Sequence, residues 1–239
     1  MLFPIALALL VLHFGAAARQ APAGPALDSV LRKMDDVAAK FTSAQADFEW
    51  DRYEKVIDEV DDVQTGVIYY RRAGKDIEMM ADIRKDGPSL TELKSEPKYV
   101  LFSDAKIQMY QPKPNQVTVY DLGQHSSEFE SYLGLGFGAS GQELVKQFDV
   151  TYLGPETVQG VATAKLQLIP KSERVRNNFK QIFLWIDLER GVSVQQKLVE
   201  PQDDYRLAKY NAIRINEKVN NDVFRLKTNN KTQIISPRG

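Results

Sequence analysis

The sequence predicts an α+β fold in which one amphipathic helix precedes a long run of antiparallel strands, curved into a sheet whose concave face is capped by helices. Three observations carry this. An apolar stripe recurs at helical spacing near the N-terminus, a period of two then takes over, and a glycine-rich helical interruption breaks the run of strands.

The first segment, "MLFPIALALLVLHFGAAARQAPAGP", has an apolar run from Leu2 to Leu12 followed by Ala16, Ala17 and Ala18, the pattern of a secretory signal with its cleavage site. Its leading residues carry no Lys or Arg, and the apolar run is about half the ~20 residues needed to span a bilayer. Residues 1–18 are therefore expected to be a cleaved signal peptide and 19–26 a linker, leaving 27–239 as one domain. No cysteine occurs, so the reading expects neither disulfide staples nor an N-terminal lipid anchor, and stability must come from packing.

In "ALDSVLRKMDDVAAKFTSAQ", Leu27, Val30, Leu31, Met34, Val37, Ala38 and Phe41 recur at intervals of three and four, which puts them on one face of a helix. The period then changes. In "ADFEWDRYE", Phe48 and Trp50 share a face opposite Asp47, Glu49 and Asp51. Similar runs follow as "GVIYYRR", "KDIEMMADI", "KYVLFS", "KIQMY", "QVTVYDL", "DVTYLG", "ATAKLQLIP", "FKQIFLWIDLE", "GVSVQQKLVE", "YRLAKYNAIRIN" and "VFRLKT", separated by turn residues as in an antiparallel meander. The interruption "HSSEFESYLGLGFGASGQELVKQFD" carries two capping boxes, Ser127 with Glu130 and Ser140 with Glu143, each marking a short helix start. The first would present Phe129, Tyr132 and Leu133, the second Leu144, Val145 and Phe148.

Charge and motifs exclude more than they suggest. Thirty-one basic residues against thirty-two acidic ones leave a net charge of -1 with no basic stripe, so no nucleic-acid partner is expected. Gly136, Gly138 and Gly141 match G-x-G-x-x-G, but a dinucleotide site needs a preceding strand and a parallel βαβ unit; here a helix precedes and antiparallel strands follow, which favours a hinge or connector. His125 is the only histidine left once the signal is removed, too little for a metal cluster, and reads as a turn residue. Asp58, Glu59, Asp61 and Asp62 lack the glycine and ligand spacing of a calcium loop and read as a solvated hairpin tip. No metal or cofactor is expected.

What stands out is an apolar surplus. In "KYVLFS", Val100 and Phe102 point one way and Tyr99 and Leu101 the other, so both faces of the sheet need cover. Phe48, Trp50, Ile68, Tyr70, Ile77, Met79, Tyr99, Leu101, Phe183 and Trp185 on strands, with Leu133, Phe137 and Leu144 in the helical insert, are expected to line a greasy cavity of the kind small ligands occupy.

The order and spacing of "GVIYYRRAG", "VLFSDAKIQMYQP" and "NQV", with the ending "NAIRINEKVNNDVFRLKTNNKTQII", resemble the periplasmic outer-membrane lipoprotein carrier (LolA) family. The resemblance covers Leu27 to Ile235. It implies an unclosed antiparallel β-barrel of about eleven strands with a lid of α-helices over a hydrophobic cavity. It also implies a monomeric, non-enzymatic periplasmic chaperone that takes acylated lipoproteins from an inner-membrane lipoprotein-releasing transporter to an outer-membrane receptor. The family's lid-latching arginine falls on Arg72. One face of "KYVLFS" would line the cavity and the other pack under the N-terminal helix or a neighbouring layer. The chain departs from the family at Ala73, where a proline is usual, and at Ala105, where a glycine follows the Asp of the turn. The alternatives are a binding or sensor protein of the same fold for another lipid or glycolipid, and a secreted hydrolase using His125.

Overall fold

The computed structural model describes residues 26–73, 76–123, 135 and 137–237. The expected signal peptide, most of the expected linker, His125, the Ser127–Glu130 capping box, Leu133 and Gly136 lie outside the described residues. Helix α1 spans Leu27–Ala38 and buries Val30 and Met34 from its apolar stripe. It stops short of Phe41 because the Phe41 N–H bonds to the Ala38 carbonyl in a tight turn that drops the ring into the core.

Twelve strands follow: β1 Ser43–Glu54, β2 Glu59–Ala73, β3 Asp76–Gly87, β4 Lys94–Ser103, β5 Lys106–Gln111, β6 Gln116–Asp121, β7 Phe148–Val158, β8 Val161–Pro170, β9 Gln181–Asp187, β10 Ser193–Val199, β11 Tyr205–Ile215 and β12 Gln233–Ile235. Helix α2 spans Gly141–Gln147 and α3 spans Glu173–Arg176. The strands form one sheet in the order β12-β6-β5-β4-β3-β2-β1-β11-β10-β9-β8-β7. Every pairing is antiparallel except β12 with β6, and the edge strands β12 and β7 do not pair with each other. The barrel is unclosed. Two meanders, β1–β6 and β7–β11, meet at a single seam between β1 and β11.

Register breaks on β1, β2, β3, β7 and β10 add the local twist that curls so long a sheet. Inside the curl, Phe48, Ile68, Tyr70, Met79, Ala81 and Phe102 form one apolar cluster with Phe41 and Phe137. A second joins Val30 and Met34 of α1, Leu144 of α2 and Phe148 to the inward residues of β8 and β9. The helices thus cap the β7–β9 half of the interior. Their start and approach follow the sequence: the Ser140 hydroxyl caps α2 by accepting from the Glu143 N–H at 3.1 Å. Gly138 and Gly141 of the insert allow close contact with neighbouring elements. A Cβ on Gly141 would lie 2.5 Å from the Leu31 carbonyl oxygen, and one on Gly138, at φ 89°, would lie 2.8 Å from the Phe41 ring.

The outer face of β2–β4 has its own cover. After β11 the chain crosses that face through a 3₁₀ turn, Asn221–Phe224, and lays Val219, Val223, Phe224 and Leu226 over Tyr69, Met80, Tyr99 and Leu101. The Arg71 guanidinium stacks 4.2 Å from the Phe224 ring centroid and donates to Asn221 Oδ1 at 2.7 Å. This strap, and not α1, covers the second face of "KYVLFS". "VFRLKT", expected as a strand, is part of it.

Candidate functional site: an end-opening cavity

Cross-strand register arranges the interior in rows. At the β1–β2 hairpin end stand Leu198, Arg206, Arg52 and Asp62, side by side across β10, β11, β1 and β2. One row deeper come Gln196, Ala208, Trp50 and Gln64, then Tyr210, Phe48 and Gly66. Side chains two apart on a strand share a face, so all these rows point inward. Apart from Phe48 and Gly66, which stand behind the wall, these residues line a cavity of about 610 Å³ together with Ile68, Tyr70, Met79, Asn178 and Phe179. That lies within the ~300–1,000 Å³ of ordinary ligand pockets.

Polarity falls with depth. The rim is charged: Arg52 holds Asp61 in a two-bond ion pair and lies 3.5 Å from Glu54, while Arg206 Nε donates to Glu200 at 3.2 Å. The deep end is apolar and aromatic. Phe137, fully buried, seals it, its ring 5.1 Å from both Tyr70 and Tyr210. Burial pushes the Tyr210 hydroxyl up to about 12 despite hydrogen bonds from Trp50 and Tyr70, and raises Tyr70 well above its ordinary value. Both phenols are therefore neutral near pH 7.

Of the residues picked from sequence, Trp50, Ile68, Tyr70 and Met79 line this cavity. Phe48, Ile77 and Phe137 belong to the same interior cluster behind its wall, and Leu144 packs under α1 in the neighbouring cluster. Four do not face inward. Tyr99 and Leu101 alternate with the inward Val100 and Phe102 and lie under the strap. Phe183 and Trp185 alternate with the inward Ile182, Leu184 and Ile186 and pack on the outside with Val158 and Val194, the Lys165 ammonium 4.7 Å from the Trp185 ring. Alternation separates the faces of a strand without saying which is inner, and these four were placed on the wrong one.

Sequence reading missed Gln196, Leu198, Ala208, Tyr210 and Phe179. The alternation in "YRLAKYNAIRIN" offered Ala208 with Tyr210 as one face, but alanine beside tyrosine gives no hydrophobic peak. Arg72 stands at the far end of β2 from Asp62. Its N–H donates to the Thr42 carbonyl at 2.9 Å and its Nε to the Phe41 carbonyl at 3.2 Å, tying β2 to the turn just beyond α1. Of the acidic run expected as a hairpin tip, only Asp58 lies in the β1–β2 turn, while Glu59, Asp61 and Asp62 belong to β2, and among the described residues no group of His, Asp and Glu is arranged to hold a metal ion.

No family model matches the chain, and no curated protein matches it. Solved structures do. The structure of MucB superposes with a TM-score of 0.51 at 13% identity, covering 87% of this chain and 65% of MucB. The chain has the fold of the part of MucB that it matches. It spans just under two thirds of MucB's length. An uncharacterized conserved protein from Thermus thermophilus gives a TM-score of 0.50 at 11% identity over 88% of this chain and 96% of that one. A LolA superfamily protein from Nitrosomonas europaea also matches, at TM-score 0.39 and 10% identity, over 84% of this chain and 98% of its own. Among the described residues no helix is long and apolar enough to cross a membrane.

Proposed function

We propose that this chain is a periplasmic carrier that shelters lipid acyl chains in the cavity and delivers them, as part of acylated lipoproteins, to the outer membrane. The observation that supports this reading is the cavity itself: an opening at the end of an unclosed barrel, with apolar walls from Trp50, Ile68, Tyr70, Met79, Phe179 and Leu198. Burying a chain contributes about 0.8 kcal/mol per methylene, which makes even a single acyl chain an adequate anchor. An inner-membrane releasing transporter and an outer-membrane receptor are the partners this role requires. Arg72 fits a latch: its bond to the Phe41 carbonyl joins the sheet to the end of the capping helix, and opening would break it.

The test has two parts. Trp50→Glu puts a charge in the cavity wall, and we expect a fluorescent fatty-acyl probe to bind it at least tenfold more weakly than the parent. Arg72→Leu is expected to load normally but release its lipid to acceptor vesicles more slowly, because the closed form loses a contact. Unchanged probe binding in a folded Trp50→Glu protein contradicts the cavity; an unchanged release rate in Arg72→Leu contradicts the latch alone.

A further inference from the structure

Among the inward-facing residues of the cavity wall, Gln196 is anomalous. It is 8% exposed, it lines the cavity, and its cross-strand neighbours Leu184 and Ala208 both face inward. Among the described residues its side chain makes no hydrogen bond, whereas Gln64, in the same row, donates to Asp62 at 3.1 Å. The Gln196 carboxamide opens onto the cavity, where its donors and its acceptor are free to meet a polar group of a ligand. It also stands one row below the rim, at the level where an amphiphile's chain would meet its head. The charges above it are already engaged. Arg52 is paired with Asp61 and Glu54, Arg206 with Glu200, and Asp62 adds a further negative charge. Among the described residues no uncommitted cation lines the cavity to receive a carboxylate or a phosphate.

Resting on the carrier reading above, we propose that the cavity selects uncharged amphiphiles whose chain begins at a carbonyl, acyl esters or acyl amides, and that Gln196 is the residue that recognises this carbonyl by donating from Nε2. Ala208, beside Gln196, and Trp50, beyond it, leave the space and the flat wall against which the linkage lies. A site built to hydrogen-bond a ligand discriminates strongly against the analogue that lacks the group, because the protein's own polar atom is then left unpaired.

Competition against the fluorescent acyl probe tests this with 1-monooleoylglycerol, oleoylethanolamide, the 1-O-oleyl glycerol ether and oleate. The parent should bind the ester and the amide about tenfold more tightly than the ether, a difference of ~1.4 kcal/mol, and should bind oleate more weakly than the ester. Gln196→Leu should keep or improve ether binding while the ester-to-ether ratio collapses towards one. Gln196→Met, unbranched like glutamine, gives the same readout should the leucine variant misfold. Equal binding of ester and ether by the parent, or a ratio unchanged in a folded variant, overturns the role of Gln196, and oleate binding more tightly than the ester overturns the preference for neutral ligands; in either case the carrier reading stands. If the parent binds none of the probes, both fail together.

Discussion

Ala105 and Asp104 occupy the two central positions of the β4–β5 hairpin at φ 58° and 51°, the left-handed pair that a two-residue turn of this kind demands. The Asp-Gly pattern is broken in the sequence, yet the turn forms, because the pairing of Ser103 with Lys106 and the strands behind it override the local preference. The strain stays in the residue. Ala105→Gly should stabilise the protein by about 1 kcal/mol, seen as a higher urea midpoint at unchanged slope; a lower midpoint contradicts it. Asp187 carries the opposite lesson, a side chain whose role no local pattern announces. It is buried at the β9–β10 turn, accepting from the N–H groups of Glu189 and Arg190 at 2.8 and 3.0 Å and from Arg190 Nε at 2.6 Å. Burial alone would raise its pKa, but those hydrogen bonds prevail and hold it below the ordinary carboxylate value. A depressed folded pKa adds stability that is fully present above the unfolded value of about 3.9 and is lost as pH falls through the folded one. Asp187→Asn should therefore cost roughly 1.5–3 kcal/mol at pH 7, with its deficit narrowing below about pH 4. A pH series of melting temperatures showing a constant deficit down to pH 2 would rule this out.

At the scale of elements, the order of helix, meander, helical insert and second meander was legible because hydrophobic period is a local property. The strap was not. Its residues Val223, Phe224 and Leu226 read as a strand, and nothing near them in sequence signals that they cover Tyr99 and Leu101, more than a hundred positions earlier. The same blindness put Leu101 in the cavity, since an apolar residue on a doubly covered strand gives no sign of which cover it meets. The strap's anchor is Phe224, held between Arg71 and the outer face of the sheet. Phe224→Ala should cost about 3 kcal/mol or more in stability from lost burial and the void left behind. Measured on folded protein, its affinity for the acyl probe should equal the parent's, because the sheet lies between strap and cavity. A parallel loss of probe affinity would mean that the two faces are coupled.

The whole molecule is two meanders joined edge to edge. Its cavity sits on that joint, with Trp50 and Ile68 contributed by one meander and Gln196, Leu198 and Tyr210 by the other. The joint brings together Glu49 and Lys209, 160 positions apart and bonded across β1 and β11. The strand at the middle of the finished sheet thus waits for a partner made near the end of the chain. During synthesis β1 can pair with β2 as soon as the first hairpin emerges, but its other edge has no cognate strand until nearly the whole chain exists, and an unpaired edge is where strands from other copies add. Long-range pairing of this kind is slow. The ligand chamber is consequently completed only late in synthesis, and until β11 docks the second edge of β1 stays open to strands from other copies.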